Sequence, residues 1–351
     1  MVNGQLPFGP VVVDIQSTKL SEKEKHRLQN PLVGGVILFS RNFTDRQQLT
    51  HLCKEIAELR SPELLILVDH EGGRVQRFKS DGFTHLPSMH ELGALYDREP
   101  ELSLTVAQAV GYILASELRA CGVDLSFTPV LDLDYGMSTV IGRRAFHRDP
   151  DVVTRLAESL ILGLNKAGMA SCGKHFPGHG AVQADSHVAV AVDERNFKEI
   201  LDEDLIPYRL LGGTLLSAVM PAHVIYPKVD NQPAGFSIHW LKRVLRQALA
   251  YNGVIFSDDL CMQGASVVGS ITQRAKAALG AGCDMVLVCN QPDLADELLE
   301  NLDFQMSESS QKRVVSLKPN PFSMTWDELQ QDESYRHAQE LRIEHLPEAT
   351  A

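Results

Sequence analysis

The sequence predicts an α/β protein built as one (β/α)8 barrel of the TIM type with a short, polar, partly helical C-terminal tail. Three observations carry this. Eight short, β-branched runs recur before residue 290, each long enough for a buried strand and too short for a helix. Helical patterns separate them, and strands alternating with helices imply a parallel sheet. The turn after the first run, Val13-Asp14-Ile15-Gln16-Ser17, holds no GxGxxG, which an open doubly wound sheet would favour there; the repeated units fit a closed barrel instead.

The runs are 11–15, 34–39, 64–70, 124–130, 171–176, 216–223, 253–258 and 284–289. Between the third and fourth, 101–120 reads as a helix whose apolar face is Leu102, Val106, Ala109, Val110, Ile113, Leu114 and Leu118. Gly122, Gly168, Gly253 and Gly282 stand where a helix ends and a strand begins, and a left-handed glycine closes a helix there at no steric cost. Residues 1–304 are therefore assigned to the barrel and 305–351 to the tail. In the tail Pro319 and Pro321 break any element, and Thr325 with Glu328 reads as a capping box opening one helix toward Leu346, docked through Trp326 and Leu329.

Composition narrows the function. The 351 residues are 44% hydrophobic and 22% charged, so the chain can bury a core. Lys and Arg number 33 against 45 Asp and Glu, a net charge of −12, which disfavours nucleic acid and anionic membrane as partners. The six cysteines have no pair closer than six positions, so neither a CxxC metal site nor a redox motif is present, and buried free thiols are expected. No apolar run approaches the ~18 residues of a membrane span, and residues 1–10 lack an export pattern. A cytoplasmic protein, monomeric and acting on a small molecule, is the expectation.

In such a barrel chemistry sits where strands end. The third run ends in Asp69-His70-Glu71-Gly72-Gly73-Arg74 and continues to Arg77; Asp132 follows the fourth, with Arg143 and Arg144 beyond it. The fifth ends in Lys174-His175-Phe176-Pro177-Gly178-His179-Gly180, with Asp185-Ser186-His187 after it; the sixth reaches His223 and the seventh Ser257-Asp258-Asp259. Each alone has a plain structural explanation, a helix cap for an Asp or a surface pair for an Arg. Their convergence on one rim does not, and the strand starts are expected to carry nothing comparable.

Asp258, held by the sheet, is a carboxylate with little freedom and so a candidate nucleophile toward an electrophilic carbon. Asp185 and His187, two positions apart, can pair so that the carboxylate fixes the imidazole's tautomer and raises its pKa, making His187 a candidate acid and then base. Asp69 and Lys174 can accept from and donate to a sugar's hydroxyls, and Arg77 and Arg144 offer forked donors. A nucleophilic carboxylate opposite a proton donor is the machinery of a retaining glycosidase, whose second group is usually another carboxylate.

At these residues the chain resembles glycoside hydrolase family 3, and within it the bacterial cytoplasmic β-N-acetylglucosaminidases of peptidoglycan recycling. The stretch from Gly173 to Gly180 with Asp185-Ser186-His187 is similar to that group's signature, and Asp69 to Arg77 and Phe256 to Leu260 are similar to two further family motifs. The resemblance implies Asp258 as nucleophile, His187 as acid/base, Asp185 as its partner, and Asp69, Arg77, Arg144, Lys174 and His175 as substrate-binding residues. It implies removal of a terminal β-linked N-acetylglucosamine from anhydro-muropeptides through a glycosyl-enzyme, with no metal and no cofactor. Three rivals stand beside it: a metal-dependent hydrolase using the rim histidines, against which the first run offers Asp14 and Gln16 rather than an HxH pair; a Schiff-base aldolase on Lys174; and a catalytically inactive sugar-binding barrel.

Overall fold

The computed structural model describes residues 8–183, 191–319 and 324–346. Eight parallel strands, β1 (Val11–Asp14), β2 (Val33–Leu38), β3 (Leu65–Val68), β4 (Leu125–Ser126), β5 (Cys172–Phe176), β6 (Ala218–Pro221), β7 (Val254–Asp259) and β8 (Met285–Val288), lie in sequence order around an axis. β1 pairs with both β2 and β8, so the sheet curls back on itself. The seam between β4 and β5 is closed by a parallel bridge between Val130 and Lys174 and by the Leu131 N–H donating to the Lys174 carbonyl at 2.6 Å. The chain is thus a TIM-type barrel with flanking helices.

Side-chain alternation along each strand builds two cores. Val12, Ile37, Leu65, Leu67, Cys172, Val254, Phe256 and Leu287 fill the barrel axis, while Val11, Val13, Val36, Leu38, Ile66, Val68, Ile255 and Val286 face the helices. Outside, Pro100–Ala120 packs against Pro150–Lys166, each opened by a proline at its first turn, where a missing N–H costs nothing. The two helices cross closely: a Cβ on Gly111 would lie 2.1 Å from the Leu160 carbonyl oxygen, and one on Gly163 2.1 Å from that of Gln108.

Four expectations are corrected. The fourth run yields a strand of only two residues, because Pro129 has no N–H to continue the ladder. Gly122, Gly168 and Gly282 are left-handed as expected, but Gly253 is not; Ala250 takes that conformation (φ 52°). Gly253 is small for another reason, since a Cβ there would meet the Tyr251 hydroxyl at 2.2 Å. The tail's capping box does form, but it opens a single turn, Trp326–Leu329, and Asp332 then caps a second helix, Glu333–His345, by accepting from the Tyr335 N–H at 2.8 Å.

The fourth concerns the strand starts, which are not bare. Asp124 and Asp284 precede β4 and β8, and each accepts from a backbone N–H of the neighbouring strand, Ile66 and Ile255, at 2.9 Å. The tail supplies cations to both: Lys318 Nζ lies 3.1 Å from Asp124 and Arg313 Nη2 2.7 Å from Asp284, which also takes Arg246 at 2.8 Å. Between these ties, Met306, Val314 and Leu317 join the axial core with Phe304 packed against it, so residues 304–318 close the amino end of the barrel. Farther on, Leu329 is buried, Trp326 meets the Phe83 ring edge-on at 5.0 Å, and Tyr335 donates to the buried Glu117 carboxylate at 2.6 Å. All six cysteines are free thiols.

Candidate active site

The alternation that fills the axis also aims the polar residues. Leu65 and Leu67 point inward, so Asp69 continues that face one step beyond β3; Cys172 is followed inward by Lys174, and Val254 and Phe256 by Asp258. These groups meet above the hydrophobic layer of Ile37, Phe127, Met220 and Leu287, around a cavity of about 360 Å³ that Arg77, Arg144, His175 and His179 also line.

Glu71 organises the charges. Its carboxylate takes both arms of the Arg144 fork, Nε to Oε2 and Nη2 to Oε1, each at 2.8 Å. Lys174 Nζ reaches Glu71 Oε1 at 2.7 Å and Asp69 Oδ1 at 2.9 Å, and Arg77 Nη2 lies 3.4 Å from Asp69 Oδ2. Burial alone would push the Glu71 carboxyl up, but Arg144 and Lys174 outweigh it and hold the group well below the usual range. The same balance, burial against Lys174 and Arg77, leaves Asp69 depressed, while Asp69 and Glu71 overcome burial to keep Lys174 protonated. A lysine so paired is a poor Schiff-base former, because that chemistry needs the neutral amine.

Asp132 organises the next wall. Fully buried beyond β4, it accepts from His175 Nδ1 at 2.7 Å, from the His175 N–H at 3.3 Å and from the His179 N–H at 2.6 Å. With Nδ1 donating, His175 Nε2 carries the lone pair and lies 3.4 Å from Arg144 Nη2. Burial opposes the Asp132 charge, and His175 more than restores it.

Asp258 and Asp259 behave as two different carboxylates. Asp258 faces the cavity and accepts from the Asp259 N–H at 2.8 Å. The Asp259 carboxylate accepts from the backbone N–H groups of Cys261 at 2.9 Å and Cys289 at 3.1 Å, which tie the end of β7 to β8. Burial pushes it up to about 7, with the Asp258 charge adding to the shift. Asp185 and His187 lie outside the described residues. The structure therefore brings together Asp69, Arg77, Arg144, Lys174, His175 and Asp258, six of the eight positions singled out from sequence.

Glycosyl hydrolase family 3 N-terminal domain is the family whose sequence pattern matches, over residues 4–317. The chain belongs to glycoside hydrolase family 3. Within the family it is 62% identical over 337 residues to a β-hexosaminidase of Bordetella parapertussis, covering 96% of each chain. It is similar to the crystal structure of native NagZ from Neisseria gonorrhoeae, with 48% identity, a TM-score of 0.92 and coverage of 98% of this chain and 99% of that one. The complex of that NagZ with N-trifluoroacetyl-D-glucosamine superposes with a TM-score of 0.91 at 49% identity, covering 96% and 97%.

For a family 3 glycoside hydrolase, sequence reasoning left two buried acids without a role, Glu71 and Asp132. Both stood beside the residues it chose, and a charge balance would have found Glu71: Arg77, Arg144 and Lys174 at one rim need partners if buried. These three cations do not present a bare positive surface to a ligand. Each faces a carboxylate, so their free donors, rather than net charge, are what the cavity offers. Among the described residues no group of three or more His, Cys, Asp or Glu is arranged to hold a metal ion.

Proposed function

We propose that this glycoside hydrolase is a retaining exo-β-N-acetylglucosaminidase that works through a covalent glycosyl-enzyme on Asp258, with His187 as acid/base and Asp185 as its partner. The observation that carries the reading is the inward step from Val254 and Phe256 to Asp258, which aims the carboxylate near the end of β7 into a cavity that Asp69, Arg77, Arg144 and Lys174 also line. Its volume, about 360 Å³, is at the small end for ligand sites and suits one terminal sugar ring rather than a chain. The names of the relatives support a hexosamine as that sugar.

In the first step an Asp258 oxygen forms a bond to the anomeric carbon as the glycosidic C–O bond breaks, and His187 gives its proton to the leaving oxygen. In the second, His187 takes a proton from water, whose oxygen attacks the same carbon and releases Asp258, so two inversions leave the β configuration. Asp69 accepts from the sugar's hydroxyls; Lys174, Arg77 and Arg144, locked by Asp69 and Glu71, donate without reorganising. The resemblance of the Gly173 to His187 stretch extends the proposal to anhydro-muropeptides as substrate, and so to peptidoglycan recycling in the cytoplasm.

Trapping with a 2-acetamido-5-fluoro glycosyl inhibitor, followed by peptide mapping, tests the assignment: the label is expected on Asp258, and a label elsewhere overturns it. Asp258→Ala should lower kcat on a chromogenic β-N-acetylglucosaminide by about 10⁴-fold or more with the fold intact. Release of N-acetylglucosamine from a disaccharide ending in 1,6-anhydro-N-acetylmuramic acid, read by mass spectrometry, tests the substrate.

A further inference from the structure

The ladder that holds β7 runs out before the residue it must aim. On the β6 side the paired residues are Val254 with Ala218 and Ile255 with Val219. On the β8 side Phe256 pairs with Met285 and Asp259 with Leu287, three steps on one strand against two on the other, so Ser257 and Asp258 fall in a bulge. Side chains take over here. The Ser257 hydroxyl accepts the Leu287 N–H at 3.0 Å, and the Asp259 carboxylate holds two backbone N–H groups as described above.

From the β6 side the replacement is His223. Its imidazole Nε2 lies 3.0 Å from the Asp259 carbonyl oxygen, and because a carbonyl only accepts, Nε2 carries the proton. Asp259 is thus gripped by both backbone groups: its carbonyl takes His223, and its N–H donates to Asp258 Oδ1 at 2.8 Å. The imidazole is itself fixed, fully buried and stacked on Phe236 with ring centroids 5.3 Å apart and planes 13° from parallel. Burial also depresses its pKa, keeping the ring neutral. Its other nitrogen, Nδ1, is buried and has no hydrogen-bond partner among the described residues. A core aromatic such as Phe would pack there without burying an unpaired acceptor, so stability alone is a poor reason for a histidine.

We propose that His223 is a positioning residue for the reaction, orienting the Asp258 carboxylate through the Asp259 peptide. The inference rests on the reading of Asp258 as nucleophile. It predicts that His223→Phe, which keeps a ring and loses the donor, lowers kcat about 30- to 100-fold while KM stays within about threefold and the thermal midpoint holds. His223→Gln, whose terminal amide can place an N–H near the Nε2 position, should recover kcat to within about fivefold of the parent. His223→Asn, whose amide stops near the Nδ1 position, should not. The Gln and Asn pair keeps the test alive if the Phe variant does not fold. A folded His223→Phe enzyme with parental kcat overturns the proposal, as does equal loss in the Gln and Asn variants. Failure of the underlying reading looks different: Asp258→Ala would then keep its activity whatever His223 does.

Discussion

The two ends of the barrel both bury carboxylates against arginine and lysine, yet they do opposite things with them. At the amino end Asp284 is enclosed by Arg246, Arg313 and the Ile255 N–H, and Asp124 by Lys318, Arg119 and the Ile66 N–H. These clusters join strand starts to the tail and bound an apolar plug. At the carboxyl end Asp69 and Glu71 are clasped by Lys174, Arg77 and Arg144, but that cluster forms one wall of a cavity. Buried ion pairs alone therefore do not mark an active site. The carboxyl-end network differs in lining a cavity that also holds Asp258 and His175, whereas the Asp124 cluster borders a pocket among helix and tail residues.

The contrast can be broken most severely at Glu71. Glu71→Gln removes the charge that fixes Arg144 and Lys174, and kcat/KM for an N-acetylglucosaminide should fall about 10³-fold, or ~4 kcal/mol of transition-state stabilisation; steady-state kinetics on the purified variant decide it. At the other end Asp284→Asn leaves Arg246 and Arg313 without their counter-charge. Denaturant unfolding should show a loss of about 3–4 kcal/mol, with kcat/KM of the remaining folded enzyme within about twofold. If Asp284→Asn instead damages catalysis more than stability, the division between the ends is wrong.

The smallest effect is one of pH. Burial pushes Glu117 up to about 7, against the bonds from Thr84 and Tyr335. Its folded pKa thus lies above its ordinary value of 4.5, so the stabilisation it gives is full below that value and is lost as pH rises through about 7. Asp259, also raised to about 7, acts in the same direction, whereas depressed Glu71 loses its contribution only as pH falls. Glu117→Gln isolates one part: the parent should lose up to ~3 kcal/mol more than the variant between pH 5 and 8 by chemical denaturation. A pH-independent difference between the two proteins would show that the tail contact does not titrate.

The barrel was legible because period-two alternation and buried β-branched runs are local signals, and the inward face that aims Asp69, Lys174 and Asp258 follows from the same period. Where neighbours in space decide, the sequence was silent. Nothing local marks Gly253 as small because of Tyr251 and Ser217, or Ala250 as the left-handed residue in its place. The strand starts were misread for the same reason: Asp124 and Asp284 matter through Lys318 and Arg313, which lie far along the chain. Glu71 and Asp132 were visible as acids but not as organisers, since that role exists only once Arg144, Lys174 and His175 are folded around them. Asp332 was a plain N-cap signal overlooked inside a longer pattern.

The plug formed by Met306, Val314 and Leu317 has a consequence for traffic. It closes the axis at the amino end, so exchange between the cavity and solvent is left to the carboxyl-end rim. Under the two-step displacement proposed above, the departing aglycone and the incoming water would both pass that rim. On that reading, an aglycone slow to leave the rim delays the step that follows.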